Sequence, residues 1–499
     1  MAKYFWIRPL TSTRYIWVPL ALLIKENLRI EPLFIVISEA DKDFYLKISQ
    51  GALNGENFLI EPNFYLECER NHPESTDIFN ALNAYEEKYN FTVYRDIIQA
   101  DRHIGQKWAW AWDGSPQSRC MSNTRRFGAL RACLEALKYF EHLNLKWPPK
   151  FVIGSGIGTG LSGKPMALIC KKNKIPLRSA VGARFNRYAY WATDEFCNNF
   201  EIRQKIKSLE YEKIPPSQNE THALQESENF KDFHKSHSKK SKSIINAIGT
   251  SSITFLKNYY SVLRRRRATK TGYYPSSLAS LPLKNWYAQR QFKNKGFKNI
   301  SELPKATKYF LFPLQMEFEA SLQGEAPNLP PSFTLIHQIS LSLPAGAILL
   351  VKEHPLQGGR RPKFFYGLIE NLHNVVLIKP TIKAQMIFDK IDAVIQVNSS
   401  LGYEALAQGI PVFSLSPHGI IHGSSLNEAI LSPNDYQKLK KFCLNDMSHS
   451  RAARRHLALS FQKAIRTSCF ELPSPEKSFN TLLSKKDVEG IYLHLVKSL

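Results

Sequence analysis

No stretch of this chain holds the ~20 consecutive apolar residues that a membrane-spanning helix needs. The longest early run, Ile16–Ile24, is short and carries Pro19. The N-terminus lacks a compact apolar core followed by small residues, so no secretory signal is expected. The seven cysteines, at 68, 120, 133, 170, 197, 443 and 469, include no Cys-x-x-Cys pair. An odd and scattered set reads as reduced thiols of a cytoplasmic protein, not as a disulfide framework. There is no cluster with metal-ligand spacing and no repeat of solenoid period. Acid is also scarce. Against 67 Lys and Arg stand 43 Asp and Glu, for a net charge of +24. Such an excess points to an anionic partner: nucleic acid, an anionic membrane surface or a phosphorylated substrate.

Much of that excess is local. Residues 231–270 contain eleven Lys or Arg and one acid, Asp232, and include the run Arg264–Arg267. The polar stretch before it, with Pro215-Pro216, reads as a linker or insertion. His234 and His237 there read as solvated. Residues 244–267 could form a basic helix, for which an anionic membrane surface, plain solvation and nucleic acid are rival readings, nucleic acid being the weakest.

The chain divides around this segment. The expected organisation is a first α/β domain over 1–210, connecting segments over 211–300, a second α/β domain over 301–470 and a helical tail over 471–499. In the first part, 33–38, 151–154 and 175–180 are strand candidates, and 165–172 is helix-like. In the second, a strand at 308–312 precedes apolar runs at 347–351, 375–378 and 393–397, separated by helix-length spacers at 362–372 and 383–390. That alternation predicts βαβ units of a parallel sheet. Each run ends in polar residues: Lys352-Glu353-His354-Pro355, Lys379-Pro380 and Asn398-Ser399-Ser400. Ligands of such sheets bind outside the carboxyl ends of the strands, so these groups form one rim suited to a phosphate.

The last cluster, Asn398-Ser-Ser-Leu-Gly-Tyr-Glu-Ala-Leu406, opens a helix that Gly409 can end. Ser400 is the expected N-cap. Gly402 would let a ligand approach the backbone, and Glu404 could bond sugar hydroxyls. An ordinary capped helix is the plain alternative, which the neighbouring Lys352 and His354 make less attractive. Two other motifs lead nowhere. Gly158–Pro165 nearly fits a phosphate loop, but Pro165 stands where Ser or Thr would hold Mg²⁺. The spacing of Gly154, Gly156, Gly158 and Gly160 misses the dinucleotide fingerprint. The triplet Trp108, Trp110 and Trp112 would share one face of an extended segment, as an acceptor platform or as core.

Two sets of residues bear a resemblance. Val351-Lys-Glu-His-Pro355, Asn398–Leu406 and Gly409-Ile-Pro-Val412 resemble the bacterial capsule polysaccharide biosynthesis family, which includes β-Kdo transferases. Tyr309–Ser321, Ala100-Asp101-Arg102 and Gly182–Arg187 resemble segments of related surface-carbohydrate enzymes. The resemblance spans about 90–425 and implies an α/β GT-B type fold: two Rossmann-like domains facing across a cleft. It implies a glycosyltransferase that takes a nucleotide sugar, with CMP-Kdo as one candidate donor, and a lipid-linked or glycan acceptor. No metal or other cofactor is implied. The His-Pro and Ser-Ser pairing also occurs in bacterial sialyltransferases, where it binds CMP. By that likeness His354 touches phosphate or ribose, Pro355 borders the base, and Ser399 and Ser400 bind phosphate. Lys352, Gly402 and Glu404 complete the donor set. The chain departs from its relatives at Ser416–Gly423, where His418 and His422 replace an aromatic and Gly-containing loop. For the base that activates the acceptor hydroxyl, Asp101 is favoured over Glu319, with Arg102, Arg184, Gln315 and Glu317 lining the acceptor side or the cleft. Alternatives are an epimerase-like enzyme of the same fold, which needs no acceptor, and a non-catalytic assembly or export factor.

Overall fold

The computed structural model describes residues 3–9, 13–68, 70, 72–101, 104, 126–154, 158–185, 187–212, 252–253, 256, 292, 296–316, 319–326, 328–354, 361, 363–444, 450–473 and 483–499. Arg102, Trp108, Trp110, Trp112, Glu317, Pro355 and nearly all of the basic segment 231–270 lie outside them.

The first sheet is built from β1 (Tyr4–Arg8), β2 (Glu31–Val36), β3 (Phe58–Ile60), β4 (Pro149–Gly154), β5 (Leu177–Gly182) and β6 (Tyr188–Ala192). Its helices are α1 (Arg14–Leu28), α2 (Glu39–Ile48), α3 (Thr76–Tyr89), α4 (Arg126–Lys146) and α5 (Gly160–Lys172). α6 (Phe200–Tyr211) leads out of this part. The second sheet comprises β7 (Lys308–Pro313), β8 (Ala347–Lys352), β9 (Val375–Ile378), β10 (Ala393–Gln396), β11 (Val412–Ser414) and β12 (Asn427–Ala429). The helices of this half are α7 (Ala320–Glu325), α8 (Ser332–Ser342), α9 (Lys363–Glu370), α10 (Ala384–Phe388), α11 (Ser400–Ala407), α12 (Gln437–Leu444) and α13 (Arg451–Ser468). The chain then adds β13 (Phe470–Glu471) and α14 (Lys485–Ser498).

Both sheets have the doubly wound order. The second runs β12-β11-β10-β7-β8-β9 and is wholly parallel. The first runs β13-β6-β5-β4-β1-β2-β3. Only its far edge is antiparallel, where β6 pairs with β5 and β13 with β6. Strands covered by helices on both faces must be apolar along their length, which is why β8, β9 and β10 read as unbroken runs. All residues of β9 and β10 are buried. These are two Rossmann-like domains, as the resemblance implied. The expected strands at 151–154, 308–312, 347–351, 375–378 and 393–397 are all present, within two residues at either end.

The domains share apolar packing. Ile202, Ile206 and Leu209 of α6 join Tyr403, Leu406, Ile420, Phe461 and Ile465 in one buried cluster. Gly423 lies so close to α6 that a Cβ on it would stand 2.8 Å from the Arg203 backbone. The C-terminal residues return to the first domain. Phe470 pairs with Ala189, and the indole N–H of Trp191 donates to the Ile491 carbonyl at 3.2 Å. β13 and α14 therefore complete the first domain instead of forming a separate tail.

Candidate active site

In a doubly wound sheet the crevice opens where the strand order reverses. In the second domain that point lies between β7 and β10, the neighbours at the centre of the order. Gln315 follows β7 and Asn398 follows β10, and both are buried, at 7% and 5% exposure. Among the described residues, the Gln315 amide Nε2 and both side-chain polar atoms of Asn398 have no hydrogen-bond partner. The Asn398 amide lies near enough to Glu325 to favour the ionised carboxylate, yet it does not reach hydrogen-bond geometry. A buried, unpaired amide costs about 1–3 kcal/mol. Two such amides stand at one switch point. Beside them, Gln315 and Val397 line a cavity of about 30 Å³.

Lys352, His354, Ser399, Ser400 and Glu404 of the expected donor set stand at or after the ends of β8 and β10, the two neighbours of β7. Lys352 ends β8, and its Nζ donates to the Pro380 carbonyl at 2.7 Å, which ties the ends of β8 and β9 together. Burial lowers the Lys352 pKa to about 8, against the pull of Glu353 and Glu404. Burial raises Glu404 to about 7, opposed by a hydrogen bond from Ser400 and by Lys352. Lys352, Ser400 and Glu404 are thus one electrostatic group, although they come from different strand ends. His354 is half-buried two residues beyond β8. β8 and β10 flank β7, so their ends stand two strand spacings, about 10 Å, apart.

Three details differ from expectation. Ser399, not Ser400, caps α11: its Oγ accepts from Leu401 N at 3.2 Å, while Ser400 is the first helical residue. Gly402 faces the sheet, where a Cβ would stand 2.7 Å from Gln396 Cγ. It is glycine because Gln396 packs there, and Gln396 Oε1 in turn accepts from Ser399 N at 2.6 Å. Close approach to a ligand is not its role. Glu353 went unremarked in the sequence, yet it organises the rim. It is fully buried and pairs with the fully buried Arg361 at 2.5 Å. It also accepts from Tyr366 Oη and from His354 N, each at 2.8 Å. Arg361 donates to the Gln315 carbonyl at 2.7 Å, so one ion pair fixes both His354 and Gln315.

The first domain presents a different rim. Asp101 is 1% exposed. Its Oδ2 accepts from Tyr65 Oη and from Leu161 N, each at 2.9 Å, and its Oδ1 from Ile104 N at 3.2 Å. Asp101 therefore occupies the N-terminus of α5, where its charge suits the helix dipole. Gly160, at φ +70, is required there because a Cβ would meet Asp101 Oδ2 at 2.5 Å. Burial first, and the charge of Asp101 second, hold the Tyr65 phenol well above its ordinary pKa. Lys164, the lysine of the phosphate-loop-like run, is buried against Glu195 at 3.4 Å and lies over the Phe196 ring. The chain's own side chains thus fill what resembled a nucleotide loop. Sequence reading also missed Arg8 at the end of β1 and Glu61 just past β3. Both are shielded, and Arg8 Nη2 lies 3.6 Å from Glu61 Oε2 in an ion pair; among the described residues neither Arg8 Nε nor Glu61 Oε2 has a hydrogen-bond partner.

Where the domains meet, Arg184 Nη2 donates to Glu325 Oε1 at 2.6 Å in a buried ion pair. Arg184 adopts the left-handed backbone, at φ +57. Burial raises Glu325 more than Arg184 and Asn398 lower it. Burial works against the charge of Arg184 too, but Glu325 together with Tyr403, Tyr190 and Cys197 outweighs it and raises its pKa. Arg184 is thus held by a protein carboxylate at the domain junction. Glu319 is half-buried at the start of α7. His418 stacks on Phe196 at 4.4 Å and bonds Asn198 at 3.1 Å. His422 bonds the Ser416 carbonyl, and burial lowers it to about 4. Both histidines are structural members of the domain junction. Among the described residues no helix is long and apolar enough to cross a membrane.

Residues 222–418 match the family model described as capsule polysaccharide biosynthesis protein, in line with the resemblance read from the motifs. No curated protein matches the sequence. Among solved structures, the chain is similar to KpsC of Thermosulfurimonas dismutans, a β-Kdo 2,7 transferase, at 12% identity and TM-score 0.30, over 72% of this chain and 89% of that one. It is also similar to the UDP-GlcNAc 2-epimerase of Neisseria meningitidis bound to UDP-GlcNAc, at 11% and 0.27, over 93% and 97%. A third likeness is to MnaA of S. aureus with UDP, at 11% and 0.27, over 92% and 91%. Values this low add nothing to the two sheets already described.

Proposed function

We propose that this chain, whose residues 222–418 match the capsule polysaccharide biosynthesis model, is a glycosyltransferase that takes a nucleotide sugar at the switch point of its second sheet. The observation that carries the reading is the pair of buried, unpartnered amides of Gln315 and Asn398, flanked by Lys352, Ser400 and Glu404.

The chemistry needs few groups. As the sugar leaves, negative charge grows on the nucleotide phosphate. Lys352, the hydroxyls of Ser399 and Ser400 and the N-terminus of α11 stabilise it. Ser399 Oγ accepts from Leu401, which leaves its own O–H to donate to phosphate. His354 meets phosphate or ribose, and Pro355 borders the base. Cytidine is the base we favour, as in CMP-Kdo, and no metal is required. The acceptor hydroxyl comes from the first domain. Asp101 is its base: Oδ2 already accepts one hydroxyl, that of Tyr65, and the N–H groups of Leu161 and Ile104 keep it aimed. Glu319 and Arg184 border the cleft. The basic segment 231–270 holds the enzyme at an anionic membrane that carries a lipid-linked acceptor.

The test is calorimetry with CMP, UMP and GMP, each with and without EDTA, followed by product analysis with labelled donor. CMP binding that survives EDTA, with sugar transferred to an acceptor, is the expected result. Tighter UMP binding moves the donor to a UDP-sugar. Interconversion of donor without transfer makes the chain an epimerase.

A further inference from the structure

A groove with a volume of about 1120 Å³ runs along the first domain, away from the sites above. Small-molecule sites measure roughly 300–1,000 Å³, so this one suits a chain of several units. One wall is α4, which lines it with Arg131, Glu135, Lys138 and His142. Steps of four, three and four residues put these on one helical face. The other wall is α3, through Asp77, Ile78 and Ala81. Pro62, Asn63 and Phe64, which directly follow Glu61 at the rim, close one end.

The chemistry of the lining narrows the occupant. Glu67 pairs with Arg70 and, at 3.1 Å, with His72. Arg131 pairs with Glu135 at 3.0 Å. Paired charges of this kind present many donors and acceptors with little net field. A nucleic acid would call for unpaired cations along its length, and a lipid for an apolar wall. A polyhydroxylated chain fits instead. Tyr139, half-buried and edge-on to Phe64 at 5.9 Å, adds a ring of the kind on which a sugar face can lie. Lys138 and His142 are exposed and have no ion pair among the described residues, so they can receive acidic groups on the chain. One element links the groove to Asp101. A single helical turn, Tyr65–Cys68, sends Glu67 into the groove and Tyr65 to Asp101.

We propose that this groove binds the acceptor glycan, an oligosaccharide carrying acidic groups, and feeds its growing end past Glu61 and Tyr65 to Asp101. This rests on the reading that the acceptor docks on the first domain. The probe is an array of bacterial surface oligosaccharides of four to eight sugars, acidic and neutral, applied to the full chain. Wild type is expected to retain acidic members. Lys138→Glu and His142→Ala, both at exposed positions, are expected to weaken that retention tenfold or more, with melting temperature and nucleotide binding unchanged. Retention of no oligosaccharide by wild type overturns the proposal, as does equal retention by both variants. Groove binding in a protein that turns over no nucleotide sugar counts against the proposed function and supports the groove.

Discussion

The two sheets share one strand order but finish their rims in opposite ways. At the first, a helix N-terminus beside the strand ends is filled by the chain's own carboxylate, Asp101, and a would-be phosphate loop is closed by the Lys164–Glu195 pair. At the second, a serine caps the helix, burial lowers the nearby lysine to about 8, and two amides lack partners among the described residues. The fold therefore does not decide which half takes an anion. On the proposed function, what decides it is whether the protein has already filled the helix N-terminus with a charge: the rim that places Asp101 there would take a proton from an acceptor, and the rim where burial raises Glu404 to about 7 would hold a phosphate.

Four experiments test that contrast. The largest effect is expected at Glu353. Replacing it with Ala strands the fully buried Arg361, and breaking such a pair costs about 3–5 kcal/mol. Chemical denaturation should show that loss, and nucleotide binding should fall with it, because His354 and Gln315 lose their common anchor. Next comes Asp101→Asn. It swaps a charged acceptor at a helix N-terminus for a neutral one, and a charged hydrogen bond is worth about 1.5–3 kcal/mol. Turnover should fall by about 10²–10⁴ while nucleotide affinity is unchanged. If Asp101→Asn retains full turnover and Glu319→Gln does not, the base is Glu319.

Gln315→Met sharpens the comparison in the other direction. It removes an unpaired buried amide, so stability should rise by about 1 kcal/mol while nucleotide affinity drops. A rise in melting temperature with unchanged affinity would show that the amide does not face the donor. The smallest effect is the pH dependence of nucleotide binding. A bound phosphate prefers Glu404 protonated and Lys352 charged. Affinity should therefore decline as pH rises through about 7, where Glu404 ionises, and again through about 8, where Lys352 loses its proton. Glu404→Gln should remove the first step and Lys352→Met the second. The effect on stability has the opposite sign to the usual carboxylate. The folded-state pKa of Glu404 is raised, so the folded chain holds the extra proton between about 4.5 and 7, and stability falls across that window.

The second domain was largely legible in the sequence, for a physical reason. Strands buried on both faces are uninterrupted apolar runs, and the polar residues that end them fall on one rim by construction. The first domain was harder to read. β1 is only five residues long, and β13 only two, paired with a strand some 280 positions earlier. Such pairing leaves no local signal. At the site, residue types were readable but their roles were not. Ser399 and Ser400 exchange the capping position, a shift of one residue that only the backbone decides. Glu353 and Arg361 look like ordinary surface charges until folding buries both. Unpaired amides such as Gln315 and Asn398 are defined by what does not surround them, which no motif encodes.

The shared packing of α6 and α13 has a mechanical meaning. The polypeptide passes from α13 to β13 of the first sheet at residues 468–470, beside the seam where α6 packs on α13. Motion of one half against the other that keeps this seam buried turns about it, like a book about its spine. On the proposed function, loading donor and releasing product would follow that angular motion, and a disulfide staple across the mouth, far from that spine, should stop turnover without touching a reacting group.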